Sequence, residues 1–273
     1  READRLRNPS YYPEGSDYLA EYIRNHKLAE YLELIKESKK ICTIPVIASI
    51  NCYTDAEWVD FAKQIEEAGA DALEINILAL QSDIQYKYGS FEQRHIDILS
   101  HIKKTIRIPV IMKLGSNFTN PVALIDQLYA NGAAAVVLFN RFYQPDIDVE
   151  KMEHTSGDVF SNASDLSTTL RWIGISSSLV SKIDYAASGG IHKPDGIVKA
   201  ILAGASAIEI CSAIYQNTNL FVGEMNRFLS AWMERKGFKH ISQFKGKLNA
   251  KDVEGINMFE RTQSVSYTHL TLP

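Results

Sequence analysis

The chain has few of the residues from which metal sites and disulfide frameworks are built. Its 273 residues include only three cysteines, Cys42, Cys52 and Cys211, and their spacing matches neither a zinc motif nor a disulfide pattern. The seven histidines show no pairing at ligand spacing. We therefore expect no metal site, and we expect the chain to reside in the reducing cytoplasm.

Long apolar runs and strong charge are missing as well. No stretch approaches the ~18 consecutive apolar residues of a membrane-spanning helix, and no signal peptide is visible. The net charge is −4, which gives no reason to expect a nucleic-acid or acidic-lipid partner. With 45% hydrophobic residues, the composition is that of an ordinary globular protein.

What the chain does have is a repeated alternation of short apolar segments with amphipathic, helix-type segments. Three of the helix-type segments close on a Gly-Ala pair, beginning at Gly69, Gly132 and Gly204, just before an apolar segment. Capping boxes at Thr54 and Ser90 indicate helix starts. The alternation predicts an α/β fold with a parallel sheet.

The number of strands and the chain length favour a (β/α)8 TIM barrel, which takes about 250 residues. Six strands are predicted, ending near Ile50, Asn76, Lys113, Asn140, Ser188 and Cys211. Because a closed barrel needs eight strands, we expect the first two to precede Arg1, so that this chain is an N-terminally truncated barrel. Residues 1–263 should form this single domain, while residues 264–273 resemble a translated sequencing adaptor and should lie outside it.

The stretch 184–215 gives the strongest indication of a ligand. It reads as a strand, a turn at Gly189-Gly190, a helix and a second strand that ends on Cys211-Ser212. In TIM barrels the turns after the last two strands often bind phosphate through backbone N–H groups, which glycine allows an anion to approach. We predict a phosphate-bearing ligand at these turns. The alternative is an ordinary turn whose glycines only allow a helix to pack closely on a strand.

Three polar side chains, Asn76, Lys113 and Asn140, end predicted strands at the same edge of the sheet. A lysine there is a fixed cation that stabilises negative charge on a ring or enolate, and asparagine offers a donor and an acceptor to a heterocycle. The alternative for Lys113 is a salt bridge inside the barrel, because Glu74 and Glu209 also lie within strands.

These residues, together with three further segments, resemble class 1 dihydroorotate dehydrogenases. The segments read SGGI (188–191), GASAIEICSAIY and MERKGFKHISQFKGKL, and the similarity covers roughly Tyr18 to Leu248. Members of that family are FMN-containing (β/α)8 barrels that oxidise dihydroorotate to orotate in pyrimidine biosynthesis. The resemblance implies a flavin-dependent dehydrogenase that acts on a CH–CH group, with FMN as cofactor, and a homodimer.

The resemblance also implies roles for single residues. Asn76 would lie beside both FMN and substrate, Lys113 would face the pyrimidine ring of the flavin, and Asn140 would contact substrate. The phosphate of FMN would be held at two turns, whose residues are Ser188, Gly189, Gly190, Cys211 and Ser212.

The chain departs from the family where the catalytic base belongs. Class 1 members have a cysteine there, followed by a substrate-binding asparagine, whereas this chain has Ala79 and Gln81. Alanine cannot accept a proton, so no catalytic residue is assigned. Cys52 follows an earlier strand and is an alternative base, against a simple packing role. Arg141 stands where the family usually has serine, and it opens a long segment (141–181) that we expect to form a lid or binding loop.

The sequence therefore supports two functional hypotheses. The first is an FMN-dependent oxidoreductase with an altered substrate loop, which acts on dihydroorotate or another small cyclic amide or imide. The second is a flavin- or phospholigand-binding barrel without catalysis, kept for binding or regulation. The retained Asn76, Lys113 and Asn140 favour the enzyme, whereas Ala79 and Gln81 favour the binder. A flavin-free lyase or synthase that uses the same phosphate site is a third, weaker alternative.

Overall fold

A computed structural model describes residues 13–51 and 55–262, with side chains over 26–51 and 57–262. The first half alternates helices and strands as α1 (Pro13–Ile41), β1 (Ile47–Ile50), α2 (Asp55–Glu67), β2 (Ala72–Asn76), α3 (Ser90–Thr105), β3 (Val110–Gly115), α4 (Pro121–Ala130) and β4 (Ala135–Asn140). A hairpin of β5 (Pro145–Asp148) and β6 (Glu153–Ser156) follows. The remainder comprises α5 (Leu166–Leu179), β7 (Asp184–Ser188), α6 (Asp195–Ala203), β8 (Ala207–Glu209), α7 (Ser212–Asn217), α8 (Leu220–Lys236) and α9 (Val253–Phe259).

Six strands form one parallel sheet in the order β1-β2-β3-β4-β7-β8. Asn76 pairs in register with Lys113, and Ser188 pairs with Glu209, so the carboxyl ends of the strands lie side by side. Within the described residues β1 and β8 are the edges, and the sheet curls into part of a barrel. The predicted α/β fold of the TIM-barrel type is confirmed over these six strands. The two strands expected before Arg1 stay a prediction.

The core lies between the sheet and the helices that cover it. Its largest fully buried side chains include Trp58, Ile65, Leu73, Ile98 and Leu99. Strand β2 is buried over four of its five residues, as parallel strands covered on both faces are. One of those four is Glu74, and a carboxylate in such a place needs partners.

The helix ends follow the sequence signals with one exception. Gly69, Gly132 and Gly204 all have positive φ, as the predicted glycine terminators require. Asn120 caps α4, since its side-chain oxygen accepts a hydrogen bond from Ala123 N–H at 3.1 Å. The capping box predicted at Ser90 is wrong, because Ser90 is already inside α3 and makes no cap bond. The one predicted at Thr54 lies outside the described residues.

The segment between β4 and β7 contains structure that the sequence did not indicate. The hairpin β5–β6 is antiparallel and almost wholly exposed, so it has no buried face to produce an alternating apolar pattern. After the hairpin, a short 3-10 turn (Ala163–Asp165) continues into α5. In the described part of the chain, no helix combines the length and the apolar character needed to span a bilayer.

Candidate functional site

A cavity of about 720 Å³ opens at the carboxyl ends of β3, β4, β7 and β8. Each of these strands contributes a polar group to its wall, namely Lys113, Asn140, Ser188 and Glu209. Residues 141–144, 157–159 and 161 of the segment after β4 close the other side. This volume falls in the range of pockets that bind cofactors and other small molecules. The cavity lies where α/β barrels place their active sites.

At one end of the cavity, Lys113 lies between two carboxyl groups. Its Nζ is 2.7 Å from Glu209 Oε2 and 3.4 Å from Glu74 Oε1. Ser49 donates its hydroxyl to Glu74 Oε1 at 2.6 Å. The salt bridge that the sequence left as the alternative for Lys113 is therefore confirmed. We call Glu74, Lys113 and Glu209 the charged cluster.

Burial and the neighbouring charges together set the pKa of each group in the charged cluster. Burial alone would lower the pKa of Lys113, but the two carboxyl groups outweigh it and raise that pKa. Burial, the hydrogen bond with Glu74 and the charge of Glu74 raise the pKa of Glu209 to about 7. For Glu74, hydrogen bonds from Glu209 and Ser49 and the charge of Lys113 overcome the effect of burial and lower the pKa. Glu209 is thus the member of the pair that binds a proton more readily, and it is about half protonated at pH 7.

The two asparagines predicted at the strand ends bind each other. Asn140 donates its side-chain N–H to Asn76 Oδ1 at 2.8 Å, and both residues are half-buried. This bond spans β2 to β4 across the carboxyl end of β3. It orients the two amides. Asn140 lines the cavity and keeps its side-chain carbonyl oxygen for a ligand, whereas Asn76 is not among the described residues that line the cavity.

At the other end of the cavity, the two glycines of the turn after β7 have different structural roles. Gly189 lines the cavity with φ +93°, and a Cβ there would meet only Phe139 O at 4.0 Å. Gly190 is buried with φ +74°, and a Cβ there would lie 2.2 Å from the backbone nitrogen of Leu166. Gly189 thus presents open backbone to the cavity, whereas Gly190 allows the start of α5 to pack on the turn. The cofactor contact predicted for Gly190 stays a prediction.

Ser212 and the segment after β4 meet at this same end. Ser212 and Cys211 line the cavity, and Ser212 Oγ accepts a hydrogen bond from the backbone N–H of Ser161 at 3.0 Å. The Ser161 hydroxyl lies 2.9 Å from His192 Nε2. Ser161 therefore ties the long segment to both turns where phosphate binding is predicted. No local sequence pattern predicts these contacts, because the three residues are far apart along the chain.

Arg141 holds the segment after β4 against the cavity. Its Nη1 donates to the carbonyl oxygens of Asp158 at 2.7 Å and Val159 at 3.1 Å. Its Nε lies 3.6 Å from Asp165 Oδ2. Nε and Nη2 are buried, and neither has a hydrogen-bond partner among the described residues. The arginine that replaces the family's serine thus fixes part of the cavity wall.

The loop after β2 supplies no proton-accepting side chain. Ala79 is half-buried, and its carbonyl oxygen accepts a hydrogen bond from Asn117 at 3.1 Å. Gln81 is exposed. None of residues 77–81 is among the described residues that line the cavity. Cys52, the other candidate base, lies outside the described residues. Within them, no group of three His, Cys, Asp or Glu side chains is placed to hold a metal ion.

The fold and the cavity together define a TIM-barrel-type protein with a ligand site at the carboxyl ends of its strands. Comparison with known families makes this specific, because the dihydroorotate dehydrogenase family model matches residues 11–233 of the 273. The chain belongs to the dihydroorotate dehydrogenase family.

Curated relatives are similar at modest identity over most of their length. The catalytic subunit of dihydroorotate dehydrogenase B (NAD(+)) from Thermoplasma volcanium is 27% identical over 222 residues, which cover 80% of this chain and 71% of the relative. The same subunit from Methanosarcina acetivorans is 26% identical over 88% of this chain and 78% of its own length. A putative dihydroorotate dehydrogenase A (fumarate) from Aeropyrum pernix is 28% identical over 87% of this chain and 79% of its own length.

The cavity fits the flavin mononucleotide implied by the family. Gly189 offers backbone without a side chain in the way, and Ser212 offers a hydroxyl, as a phosphate requires. Lys113 and Asn140 at the other end offer a cation and an amide, as a ring with carbonyl and N–H groups requires. The residues present are thus compatible with a ligand that has a phosphate at one end and a heterocycle at the other.

Proposed function

We propose that the chain is an FMN-dependent oxidoreductase of the dihydroorotate dehydrogenase type, which oxidises the CH–CH bond of dihydroorotate or of a related small cyclic amide or imide. The observation that carries the proposal is the single cavity that joins Lys113 and Asn140 to Gly189 and Ser212. Family membership supports the same conclusion. The pathway we propose is accordingly pyrimidine biosynthesis or a closely related conversion.

Different residues of the cavity would bind the phosphate and the ring of FMN. Ser188, Gly189, Gly190, Cys211 and Ser212 would hold the phosphate, and Asn76 and Lys113 would hold the ring. When bound, FMN supplies an acceptor for the hydride that leaves the substrate. Asn76 and Asn140, fixed by their mutual hydrogen bond, would orient the substrate amide through their remaining donor and acceptor.

One observation favours the second candidate, a flavin- or phospholigand-binding barrel without catalysis. Ala79 stands where the family has its base, and its loop contributes nothing to the cavity wall. Losing a general base lowers the rate by about 10²–10⁴-fold. The enzyme remains our proposal, because the cavity keeps a lysine and an asparagine at its ring end.

An anaerobic absorption experiment tests the proposal. The chain is loaded with FMN, and its spectrum is recorded before and after dihydroorotate is added. We expect the flavin band to bleach as the cofactor is reduced. A band that persists would support the non-catalytic binder, and a protein that takes up no FMN would contradict the flavoprotein proposal.

Two variants make the experiment specific. Asn140→Ala should keep FMN and bleach about tenfold more slowly, because loss of one hydrogen bond to substrate raises the barrier by about 1.4 kcal/mol. Lys182→Met, which removes an exposed lysine outside the cavity, should bleach at the unchanged rate.

We also propose a cytoplasmic homodimer, as the composition and the family resemblance imply. Light scattering coupled to size-exclusion chromatography tests the assembly. We expect twice the mass of the chain, and the mass of a single chain would contradict the proposal.

A further inference from the structure

The charged cluster contains two carboxyl groups and a single cation. Lys113 Nζ lies 3.4 Å from Glu74 Oε1 and 2.7 Å from Glu209 Oε2, so both carboxyl groups share one cation. One lysine compensates the charge of only one carboxylate, so the second partly buried carboxyl group favours its protonated form. The cluster is therefore a place where the chain stores a proton, beside Lys113.

Glu209 is the member that can exchange this proton with a ligand. Its side chain is 31% exposed and lines the cavity, whereas that of Glu74 is 7% exposed and takes no part in the lining. Glu74 also accepts the hydroxyl of Ser49 at 2.6 Å, which stabilises its ionised form. A protonated Glu209 can still accept the hydrogen bond from Lys113 through its carbonyl oxygen.

The surroundings of Glu209 contain few other groups that titrate. Glu74 faces it from β2 and Lys113 faces it from β3. On β7 the residue in register with it is Ser188, which carries no charge. Arg141, Tyr143, Asp158 and Cys211 complete the ionisable groups of the described cavity wall.

The titration of Glu209 suits acid–base chemistry. Burial and the neighbouring Glu74 raise its pKa to about 7. A group that titrates near the working pH combines a useful population of the basic form with a useful basicity. The loop after β2, by contrast, has Ala79 where a proton acceptor is expected.

We propose that Glu209 is the acid–base group of this cavity, which takes a proton from a cyclic amide or imide bound at the ring end of the cavity. In that step an acidic C–H or N–H bond of the ligand breaks, and its electron pair stays on the ligand. The proton forms an O–H bond on the Glu209 carboxylate, and Lys113 stabilises the negative charge left on the ligand. No oxidant is consumed in this transfer. The assignment rests on the proposed function for the identity of the ligand.

The first test uses the full chain without ligand. Glutamate side-chain carboxyl carbons are labelled with 13C, and their NMR shifts are followed from pH 5 to pH 9. We expect one resonance with a midpoint of about 7 that is absent from Glu209→Gln. It should persist in Asp158→Asn, which removes another carboxyl group of the cavity wall. An ordinary midpoint near 4.5 for the Glu209 resonance would overturn the assignment, whatever the chain binds.

A second variant, Glu74→Gln, keeps this test decisive. Removing the partner carboxylate should lower the Glu209 midpoint by at least about one pH unit, because the charge and hydrogen bond of Glu74 raise it. An unchanged midpoint would contradict the proton-sharing pair.

The final test asks whether Glu209 faces the ligand. Calorimetric titration with FMN at pH 7, in buffers of different ionisation enthalpy, counts the protons exchanged on binding. The wild type and Glu209→Gln should differ by up to about half a proton, because a ring bound beside a half-protonated carboxyl group changes the pKa of that group. Equal proton counts would overturn the assignment. If the resonance titrates near neutral pH but FMN does not bind, the flavin proposal fails and the acid–base assignment stands on the titration.

Discussion

The two ends of the cavity are built in different ways. At the ring end, charged side chains from β2, β3 and β8 already pair with one another, so the chemistry there is carried by charge and protonation. At the phosphate end, the groups that face the cavity are the backbone of Gly189 and the hydroxyl of Ser212. Substitutions at the ring end should therefore change the pH dependence of the protein. Substitutions at the phosphate end should change packing and anion binding.

The largest effect is expected from Lys113→Met at the ring end. Removing the cation leaves Glu74 and Glu209 together without compensation, and breaking a buried pair in this way lowers the free energy of unfolding by about 3 kcal/mol. The loss should be greater at pH 8 than at pH 6, because Glu209 gains a charge as the pH rises through about 7. Urea unfolding of both proteins at pH 6 and pH 8 measures this loss in the free energy of unfolding.

The exposed Lys182→Met is the matched control for this variant. It should change the free energy of unfolding by less than about 0.5 kcal/mol, as surface substitutions usually do. A Lys113→Met loss equal at the two pH values would contradict the proposed proton on Glu209.

The second prediction separates the two glycines of the phosphate end. Both have positive φ, so an alanine at either position is strained. Only Gly190→Ala also drives a Cβ to within 2.2 Å of Leu166 N. We expect Gly190→Ala to lower the free energy of unfolding by about 2 kcal/mol more than Gly189→Ala. Gly189→Ala should instead weaken FMN binding, and the two properties are measured by urea unfolding and equilibrium dialysis.

The third prediction concerns the pH dependence contributed by Glu209. The pKa of Glu209 is 4.5 in the unfolded chain and about 7 in the folded chain. Between these two pH values the folded chain keeps a proton that the unfolded chain has lost. The contribution of Glu209 to the free energy of unfolding therefore falls as the pH rises from 4.5 to about 7. Glu74, with its lowered pKa, contributes in the opposite direction. In Glu209→Gln this pH-dependent decrease in the free energy of unfolding should disappear. The free energy of unfolding, variant minus wild type, should rise by about 2 kcal/mol between pH 5 and pH 8.

Urea midpoints of the two proteins at four pH values give this difference directly. A difference that stays constant across the range would show that Glu209 titrates alike in the folded and unfolded chain.

The smallest effect is expected at Arg141, in the segment between the two ends. Arg141→Met loses the hydrogen bonds to the carbonyl oxygens of Asp158 and Val159, which should lower the free energy of unfolding by about 1 kcal/mol. Amide exchange should become faster near residues 158–161 and stay unchanged in β2. An equal change in both regions would mean that the arginine supports the whole fold.

The contrast between strands and loops also explains what the sequence could predict. The strands were recognisable because buried parallel strands are continuous apolar runs, and a polar residue at the end of each run pointed to Asn76, Lys113 and Asn140. Glu74 and Glu209 were noticed only as salt-bridge partners. The raised pKa of Glu209 depends on burial and on Glu74, 135 positions earlier in the chain by the residue numbers, so a local pattern cannot reveal it.

The loops were predicted less well for a physical reason. The hairpin β5–β6 has almost no buried face, and Ser161 and Arg141 act through contacts with distant backbone. Such contacts follow from the folded arrangement and leave no periodicity in the sequence. The sequence did single out the Gly189-Gly190 turn, but only the structure shows that the second glycine packs against α5.

Comparison of FMN with riboflavin tests the central claim, that one cavity holds a phosphate at the glycine turn and a ring at the charged cluster. Equilibrium dialysis of the full chain against each compound gives the two affinities. We predict that FMN binds at one per chain and that riboflavin, which lacks the phosphate, binds at least ~100-fold more weakly, or about 2.7 kcal/mol. Equal affinities, or no retention of FMN, would contradict the account.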